Sequence, residues 1–489
     1  MKDLPYDLWQ PVIGLEIHAQ LNTETKMFSS APNHFGDEPN TNITVVCTGQ
    51  PGSLPVLNQE AVRKAVQFGL AVKGKVALVS RFDRKSYFYP DSPRNYQITQ
   101  FDHPIIRDGH VEAEVNGEMK TFTINRAHIE DDAGMLKHFS NFAGVDYNRA
   151  GAPLIEIVSN PCMHSAKDAS SYAQAIRAIL IYLNACDGNM DEGSLRIDVN
   201  ISVRPKGEKT LRPRIEIKNM NSFTFLEMAI ESEIRRQISL YIQHPHRTPE
   251  ELIPPGTYRW DPEEKQTQLM RKKESADDYR YFPEPDLPPL VLSQSWIDEI
   301  AETLPELPHE KHKRYVSDLN LTPYSATVLI NDIELCIYFE EAMKTHPSPR
   351  ALCNWITVEF AGRLKEIGKS LPSSTISPKH VAKLVSLIDS GRITGKMAKD
   401  IADEMVEKPH LDPEEIVHSN PNYQPMGNAD EISALIDQVL TDPACAQSIL
   451  DFKAGKEKAF AFLVGQIMKA SRGKANPPLV TELLKKKLS

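Results

Sequence analysis

Four short stretches of this chain gather side chains that bind cations and phosphates. Val12-Ile-Gly-Leu-Glu-Ile-His18 alternates, so Glu16 and His18 share one face of a strand while Leu15 and Ile17 share the other. Arg196-Ile-Asp-Val-Asn-Ile-Ser202 places Arg196, Asp198, Asn200 and Ser202 together, opposite Ile197, Val199 and Ile201. Arg214-Ile-Glu-Ile-Lys218 repeats the scheme with Glu216 and Lys218, and His128-Ile-Glu-Asp-Asp132 sets three successive acids beside a histidine. Like charges on one sheet repel unless a cation lies among them. A hard divalent ion with oxygen ligands would relieve that repulsion, and Mg²⁺ with a phosphate substrate is the usual case. Zinc favours Cys and clustered His ligands instead.

A plainer reading stays open at this point, in which each polar face simply meets water, as antiparallel sheets commonly allow. Alternation alone does not bring four strands together. Arg81-Phe-Asp-Arg-Lys-Ser-Tyr-Phe-Tyr-Pro-Asp-Ser-Pro-Arg94 interleaves basic and aromatic residues. It offers donors for phosphates and flat surfaces for bases, or else forms a turn whose tyrosines pack on the surface. Arg149, next to a glycine turn, either clamps a phosphoryl group or caps a strand end.

The elements that must position these residues fall into three stretches. Up to about residue 295, Val12–His18, Lys120–Ile124, Leu154–Val158, Leu195–Val203 and Arg214–Lys218 read as strands. Ala166–Leu183 and Ser222–Ile242 interrupt them with helical spacing, so this part is α+β. Residues 254–289 hold seven prolines and are expected to be an irregular loop and linker. Helices are expected at Ser295–Leu304, Ser325–Met343, Arg350–Ile367, Pro378–Ser390 and Gly395–Val406, followed by a break at Lys408-Pro-His-Leu-Asp-Pro413. The expected domains are therefore 1–295, an all-α domain at 296–410 and a small α-helical tail domain at 411–489.

Composition narrows the class. The 489 residues are 40% hydrophobic and 25% charged, as in globular proteins. No apolar run approaches the roughly 18 residues that suggest a membrane span, and the opening acids and proline do not resemble a leader. Six scattered cysteines without a CxxC pair suit reduced thiols in a cytoplasmic protein. The net charge of −10 argues against indiscriminate nucleic-acid binding. The tail is locally different, with nine Lys or Arg against two Glu from Lys453 to Ser489 and a basic turn at Ser471–Pro478. That is either a solvated helical face or a patch for an RNA backbone.

Several longer motifs carry a resemblance. Besides Val12–His18 they are His34-Phe-Gly36 with Glu38-Pro-Asn-Thr-Asn42, Pro51-Gly-Ser-Leu-Pro-Val56, and Arg84-Lys-Ser-Tyr-Phe-Tyr-Pro-Asp91. Further along come Glu192-Gly-Ser-Leu-Arg196 with Asp198-Val-Asn200, Asp278-Tyr-Arg-Tyr-Phe-Pro-Glu-Pro-Asp286, and Phe462-Leu-Val-Gly-Gln-Ile-Met-Lys469. In that order the chain resembles the B subunit of aspartyl/glutamyl-tRNA amidotransferases, the GatB family, over essentially its whole length.

The resemblance implies an N-terminal mixed-sheet cradle like the glutamine synthetase core, followed by helical domains that grip tRNA. It implies a complex with an amidase-type A subunit and a small C subunit, acting on misacylated Glu-tRNA(Gln), Asp-tRNA(Asn) or both. ATP and Mg²⁺ would serve to phosphorylate the side-chain carboxylate, and ammonia from glutamine, released by the A subunit, would displace the phosphate. Metal ligands are expected among Glu16, His18, Glu130, Asp131, Asp198 and Glu216. Lys85, Tyr87, Arg149 and Lys218 are the candidate catalytic residues, with Asn200, Arg84 and Asn148 as candidates for nucleotide contact. Some family members bind zinc through four cysteines near the N-terminus. The corresponding positions here are Ser29, Ala31, Thr44 and Cys47, so no zinc is expected. Two other classes are weighed against this one: a self-contained kinase or ligase for a small carboxylate, and a tRNA scaffold with no site of its own.

Overall fold

The computed structural model describes residues 5–488 except 219, 273–275, 424–428, 454–456 and 472–473. The first four residues and part of the basic turn at Ser471–Pro478 therefore lie outside the described residues. The chain divides into two compact units, Met1–Glu310 and Lys311–Ser489.

The first unit is organised by the 12-residue strand Trp9–Gln20, which lies near the middle of a ten-stranded sheet. Leu195–Pro205 pairs along one of its edges and Pro153–Ser159 along the other, both antiparallel. Outward from Leu195–Pro205 follow Ile215–Lys218, Gly256–Asp261 and Gln266–Lys272; Gly256–Asp261 runs parallel to Ile215–Lys218. Outward from Pro153–Ser159 come Glu118–Asp131, Ile106–Arg107 and Lys75–Val76, with His110–Val115 also pairing with Glu118–Asp131.

The strict alternation has a direct structural result. Ile13, Leu15, Ile17 and Ala19 are all buried, as are Ile155, Ile157, Ile197, Val199, Ile201, Ile215 and Ile217. They pack with Ala169, Tyr172 and Ile176 of helix Ala166–Tyr182 and with Leu226, Ala229 and Ile230 of helix Phe223–Gln243. Each such buried aliphatic side chain contributes roughly 1.5–3 kcal/mol of transfer free energy. Both helices start at a serine whose hydroxyl accepts a backbone N–H of the first turn: Ser165 from Asp168 and Ser222 from Phe225. With one sheet face committed to this core, the alternate residues are left on the other.

The stretch expected to be a linker is only partly one. Gly256–Asp261 and Gln266–Lys272 are sheet strands, with Trp260 and Tyr258 buried. The prolines that suggest a loop flank the hairpin at Pro254, Pro255 and Pro283–Pro289 or sit at its turn, as Pro262 does, and leave the paired backbone free to donate.

The second unit is helical, so the chain as a whole is α+β with a helical C-terminal part. The run expected at Ser325–Met343 is two helices, Pro323–Ile330 and Ile333–Thr345. Asp332 breaks it by accepting from Leu335 N at 3.0 Å, which makes Asp332 an N-cap rather than an interior residue. The run at Arg350–Ile367 stays helical from Pro349 to Lys365, with a π-helical turn at Trp355–Phe360. Near the C-terminus, Ile432, Ile436, Leu463, Ile467, Val480 and Leu484 form a separate small core.

Candidate functional site

Pairing register turns separate sequence signals into one surface. Glu16 lies opposite Asp198, Asn200 opposite Glu216, His18 opposite Glu156, and Glu156 opposite His128. Side chains directly opposite one another project to the same face roughly 5 Å apart. Five neighbouring strands therefore contribute Glu216, Asn200, Asp198, Glu16, His18, Glu156, His128 and Glu130 to one polar floor.

Two groups within that floor have ligand atoms all within 4.8 Å of one another: His18, Glu130 and Glu156, and Glu16, Asp198 and Glu216. In the first, His18 Nε2 is 3.3 Å from Glu156 Oε2, and His128 Nε2 lies 3.4 Å from Glu130 and 3.6 Å from Glu156. Thr99 Oγ1 donates to Glu130 at 2.7 Å. Burial disfavours charge on every member. On the Glu156 carboxylate it is outweighed by His128 and His18, whose positive charge holds the pKa well below the usual range. The reciprocal effect raises His18 in spite of its burial.

The second group is short of cations on its own. Burial, then the Glu156 charge, push the Glu16 pKa up. Lys218 supplies the compensation, pairing with Asp198 and lying 3.3 Å from Glu216. Glu216 also accepts from Thr257 Oγ1 at 2.8 Å, and Asn200 Nδ2 donates to Glu16 at 2.8 Å. The Asn200 amide oxygen is buried with no hydrogen-bond partner among the described residues. An orphaned acceptor beside a surplus of carboxylates is what an oxygen-ligating cation would satisfy. The donor sets, all oxygen in one group and one imidazole with two carboxylates in the other, suit Mg²⁺ or Mn²⁺.

This floor lies in a hollow of about 240 Å³ that adjoins a larger cavity of about 1060 Å³. His18, Lys85, Glu130, Asp198, Lys218 and Tyr279 line both. Lys85 sits 5.0 Å from the Tyr279 ring centre, and nearby Glu130 offsets its burial so that its pKa is raised and it stays charged. Tyr87 stacks on Tyr89 with ring centres 4.7 Å apart and faces the larger cavity.

The remaining candidate residues are placed elsewhere or engaged. Consecutive strand residues face opposite ways, so Asp131 points away from Glu130 and belongs to neither group. Its carboxylate accepts from Arg94 and from Ile98 N. Arg84 is clamped by Glu284 at 2.7 Å and Asp286 at 2.9 Å. Asn148 caps a turn, accepting from Asn42 N and donating to Glu38 O, which makes it a scaffold residue in this arrangement. Arg149 binds the carbonyls of Ala133 and Gly134 at 3.0 and 2.7 Å while its side chain faces the larger cavity.

Asp132 anchors this wall. It accepts from Arg196 at 2.7 Å and Gln20 at 3.0 Å, and Arg149 Nε lies 3.7 Å away. Burial opposes its charge, but Arg196 and Arg149 prevail and bring its pKa from 3.8 down to about 2. A depressed carboxylate stabilises the fold fully above its unfolded pKa and loses that contribution as pH falls through its folded one. Stability should therefore decline below about pH 4 by an amount reaching about 2 kcal/mol from this group. Urea titrations of wild type and Asp132→Asn at pH 7 and pH 3 check it. Their midpoints should differ clearly at the higher pH, and the gap should shrink by roughly half at pH 3, which is still above the folded pKa; a gap that does not narrow would assign the acid sensitivity elsewhere.

Of the floor residues, Glu156 is not among those that the sequence singles out, and His128 stands in one of the four stretches without being offered as a ligand. Glu156 is the one charged residue in Pro153-Leu-Ile-Glu-Ile-Val158. A single carboxylate interrupting an apolar run is the available signal.

A mixed sheet with an open acidic, cation-competent floor, joined to a helical C-terminal half, defines a catalytic domain with appended helical modules. Residues 11–298 match the family described as GatB/GatE catalytic domain, and residues 337–488 match the one described as GatB domain. The B subunit of the aspartyl/glutamyl-tRNA(Asn/Gln) amidotransferase of Protochlamydia amoebophila is 62% identical over 98% of this chain and 97% of its own length. Those of Chlamydia muridarum and Chlamydia abortus are each 59% identical, covering 97% and 100% of both chains respectively. The chain belongs to the GatB family, the B subunits of tRNA-dependent amidotransferases. No described helix is long and apolar enough to cross a membrane.

Proposed function

We propose that the floor activates the side-chain carboxylate of Glu-tRNA(Gln), Asp-tRNA(Asn) or both by ATP-dependent phosphorylation, before amidation by ammonia from a partner. The observation that carries this reading is the convergence of two three-residue ligand groups on one sheet face, flanked by Lys85 and Lys218. A carboxylate is a poor electrophile because its oxygen leaves badly, and phosphorylation corrects that. The difficulty is charge, since a carboxylate must approach a triphosphate.

Mg²⁺ held by Glu16, Asp198 and Glu216 and by His18, Glu130 and Glu156 would supply the neutralisation. Lys85 and Lys218 contribute fixed positive charge at the rim, where charge shifts as the phosphoryl group moves. Asn200 orients Glu16, and Thr99 and Thr257 orient Glu130 and Glu216. The Arg196–Asp132–Arg149 network keeps the wall of the larger cavity in place, where a misacylated tRNA end has room to enter. Ammonia would come from an amidase-type A subunit, with a small C subunit completing the complex, in the cytoplasm. The helical second unit and the Lys485–Lys487 patch suit the tRNA body.

The test is reconstitution of the chain with its A and C partners, Glu-tRNA(Gln), Mg²⁺, glutamine and ATP. Gln-tRNA(Gln) should form only when ATP is present. Product made without ATP would defeat the kinase reading. ATP turnover on free glutamate, indifferent to tRNA, would instead favour a small-carboxylate ligase.

A further inference from the structure

In the wall of the larger cavity, away from the acidic floor, three side chains converge on the sulfur of Cys47. Ser29 Oγ is 3.1 Å away, Thr44 Oγ1 3.5 Å and Lys26 Nζ 3.8 Å. Lys26 is only 1% exposed, an unusual position for an ammonium. Its other contacts are the carbonyls of Ala150 at 2.7 Å and Tyr147 at 3.3 Å.

Donor arithmetic accommodates a charged pair here, although burial itself pulls the Lys26 pKa down. An ammonium has three N–H groups, and three acceptors surround this one: two carbonyls and a sulfur. An ammonium feeds all three, and the thiolate form also lets the sulfur accept from Ser29 and Thr44 at once. A buried cation also requires a nearby negative charge. The group in bonding reach that can carry it is the sulfur, while Asp131 and Asp146 act on Lys26 from farther off. The two hydroxyls can then both donate to sulfur. Burial alone would raise the thiol, as it raises Cys186 to about 12; at Cys47 the Ser29 and Thr44 hydroxyls and Lys26 reverse the direction.

We propose that Cys47 is a modification site: a thiolate held by Lys26, Ser29 and Thr44 that faces the large cavity and is oxidised there by hydroperoxides. A sulfur lone pair attacks one peroxide oxygen, an S–O bond forms and the O–O bond breaks. The departing hydroxide or alkoxide takes the proton carried on the transferred oxygen and leaves as water or alcohol, the sulfur is oxidised by two electrons, and the resulting sulfenate stays paired with Lys26. Gly151 lies beside the sulfur, where a Cβ placed on it would make ordinary van der Waals contact at 3.9 Å and lie 3.4 Å from Lys26 Cδ.

The test reads mass rather than activity, so its failure is separable from failure of the kinase reading. The full chain is pulsed with iodoacetamide across a pH series and, separately, with hydrogen peroxide plus a sulfenate trap, followed by peptide mapping of all six cysteines. Below the ordinary thiol range of about 8.5, Cys47 should alkylate at least about tenfold faster than the half-buried Cys162, and should take up the trap first. Lys26→Met should slow it about tenfold at that pH and move its profile upward. If Lys26→Met does not fold, Ser29→Ala should produce the same shift to a smaller extent. Cys162 reacting first, or profiles unchanged in the variants, would overturn the proposal.

Discussion

Glu156→Gln is expected to slow ATP-dependent amidation by roughly 10²–10³-fold, about 3–4 kcal/mol of barrier, while the protein remains folded. Glu156 is the hinge of the first ligand group, 3.3 Å from His18 and 3.6 Å from His128, and it adds to the charge that raises the Glu16 pKa. Gln keeps the shape and one acceptor but removes the charge, so the group can no longer hold a divalent ion with a balanced ligand set. Stability should move differently from rate. In the cation-free protein the change removes a carboxylate that His18 and His128 hold ionised, so the melting temperature should fall modestly. The rise in melting temperature that Mg²⁺ gives the wild type should shrink. Amidation assays and thermal melts with and without Mg²⁺ test both halves. Turnover near wild type would remove Glu156 from the site, and a Mg²⁺-dependent rise as large as the wild type's would take it out of the cation group.

That Glu16 and His18 stand out in the sequence, while Glu156 does not, shows what a sequence discloses and what it does not. Period-two alternation in Val12–His18, Arg196–Ser202 and Arg214–Lys218 reports which side chains share a face of a strand, and every face so assigned is the one observed. Alternation carries no register between strands. Only pairing reveals that Glu156 stands between His18 and His128. Asp131 is the converse case. Proximity in sequence to Glu130 suggests a shared role, yet the pleat turns it toward Arg94 and Ile98. The Gly256–Lys272 hairpin is hidden when prolines are counted across a window wider than the strands. Asp332 is hidden because a residue that caps one helix also fits within a longer apolar periodicity. Arg84 and Asn148 attract notice for side-chain chemistry alone, and their partners Glu284, Asp286 and Glu38 lie far away in sequence or across a turn. Family membership, in contrast, is legible from the residues. Long ordered motifs carry more information than any one ligand pattern, and they point to the family that residues 11–298 match.

Lys218→Met should separate cation binding from chemistry. In the cation-free protein the Lys218 ammonium is paired with Asp198 and lies 3.3 Å from Glu216, so it already sits on two of the three carboxylates of the second group. Those two charges overcome its burial and raise its pKa, which keeps it cationic throughout the physiological range. A divalent ion entering this group must share the carboxylates with that ammonium or displace it. Removing the charge therefore favours the ion, and the Mg²⁺ or Mn²⁺ concentration for half-maximal binding should fall, by about tenfold if the relief is near 1.4 kcal/mol. The rate at saturating cation should nonetheless drop by roughly 10²-fold, because a fixed charge at the rim no longer meets the moving phosphoryl group. A structural role for Lys218 would predict a weaker cation response along with a lower rate, since the floor would lose its shape. Isothermal titration with Mn²⁺ and the Mg²⁺ dependence of amidation distinguish the two. Tighter binding with slower turnover is the expected pair of results, and weaker binding would show that Lys218 organises the acids and does not compete for them.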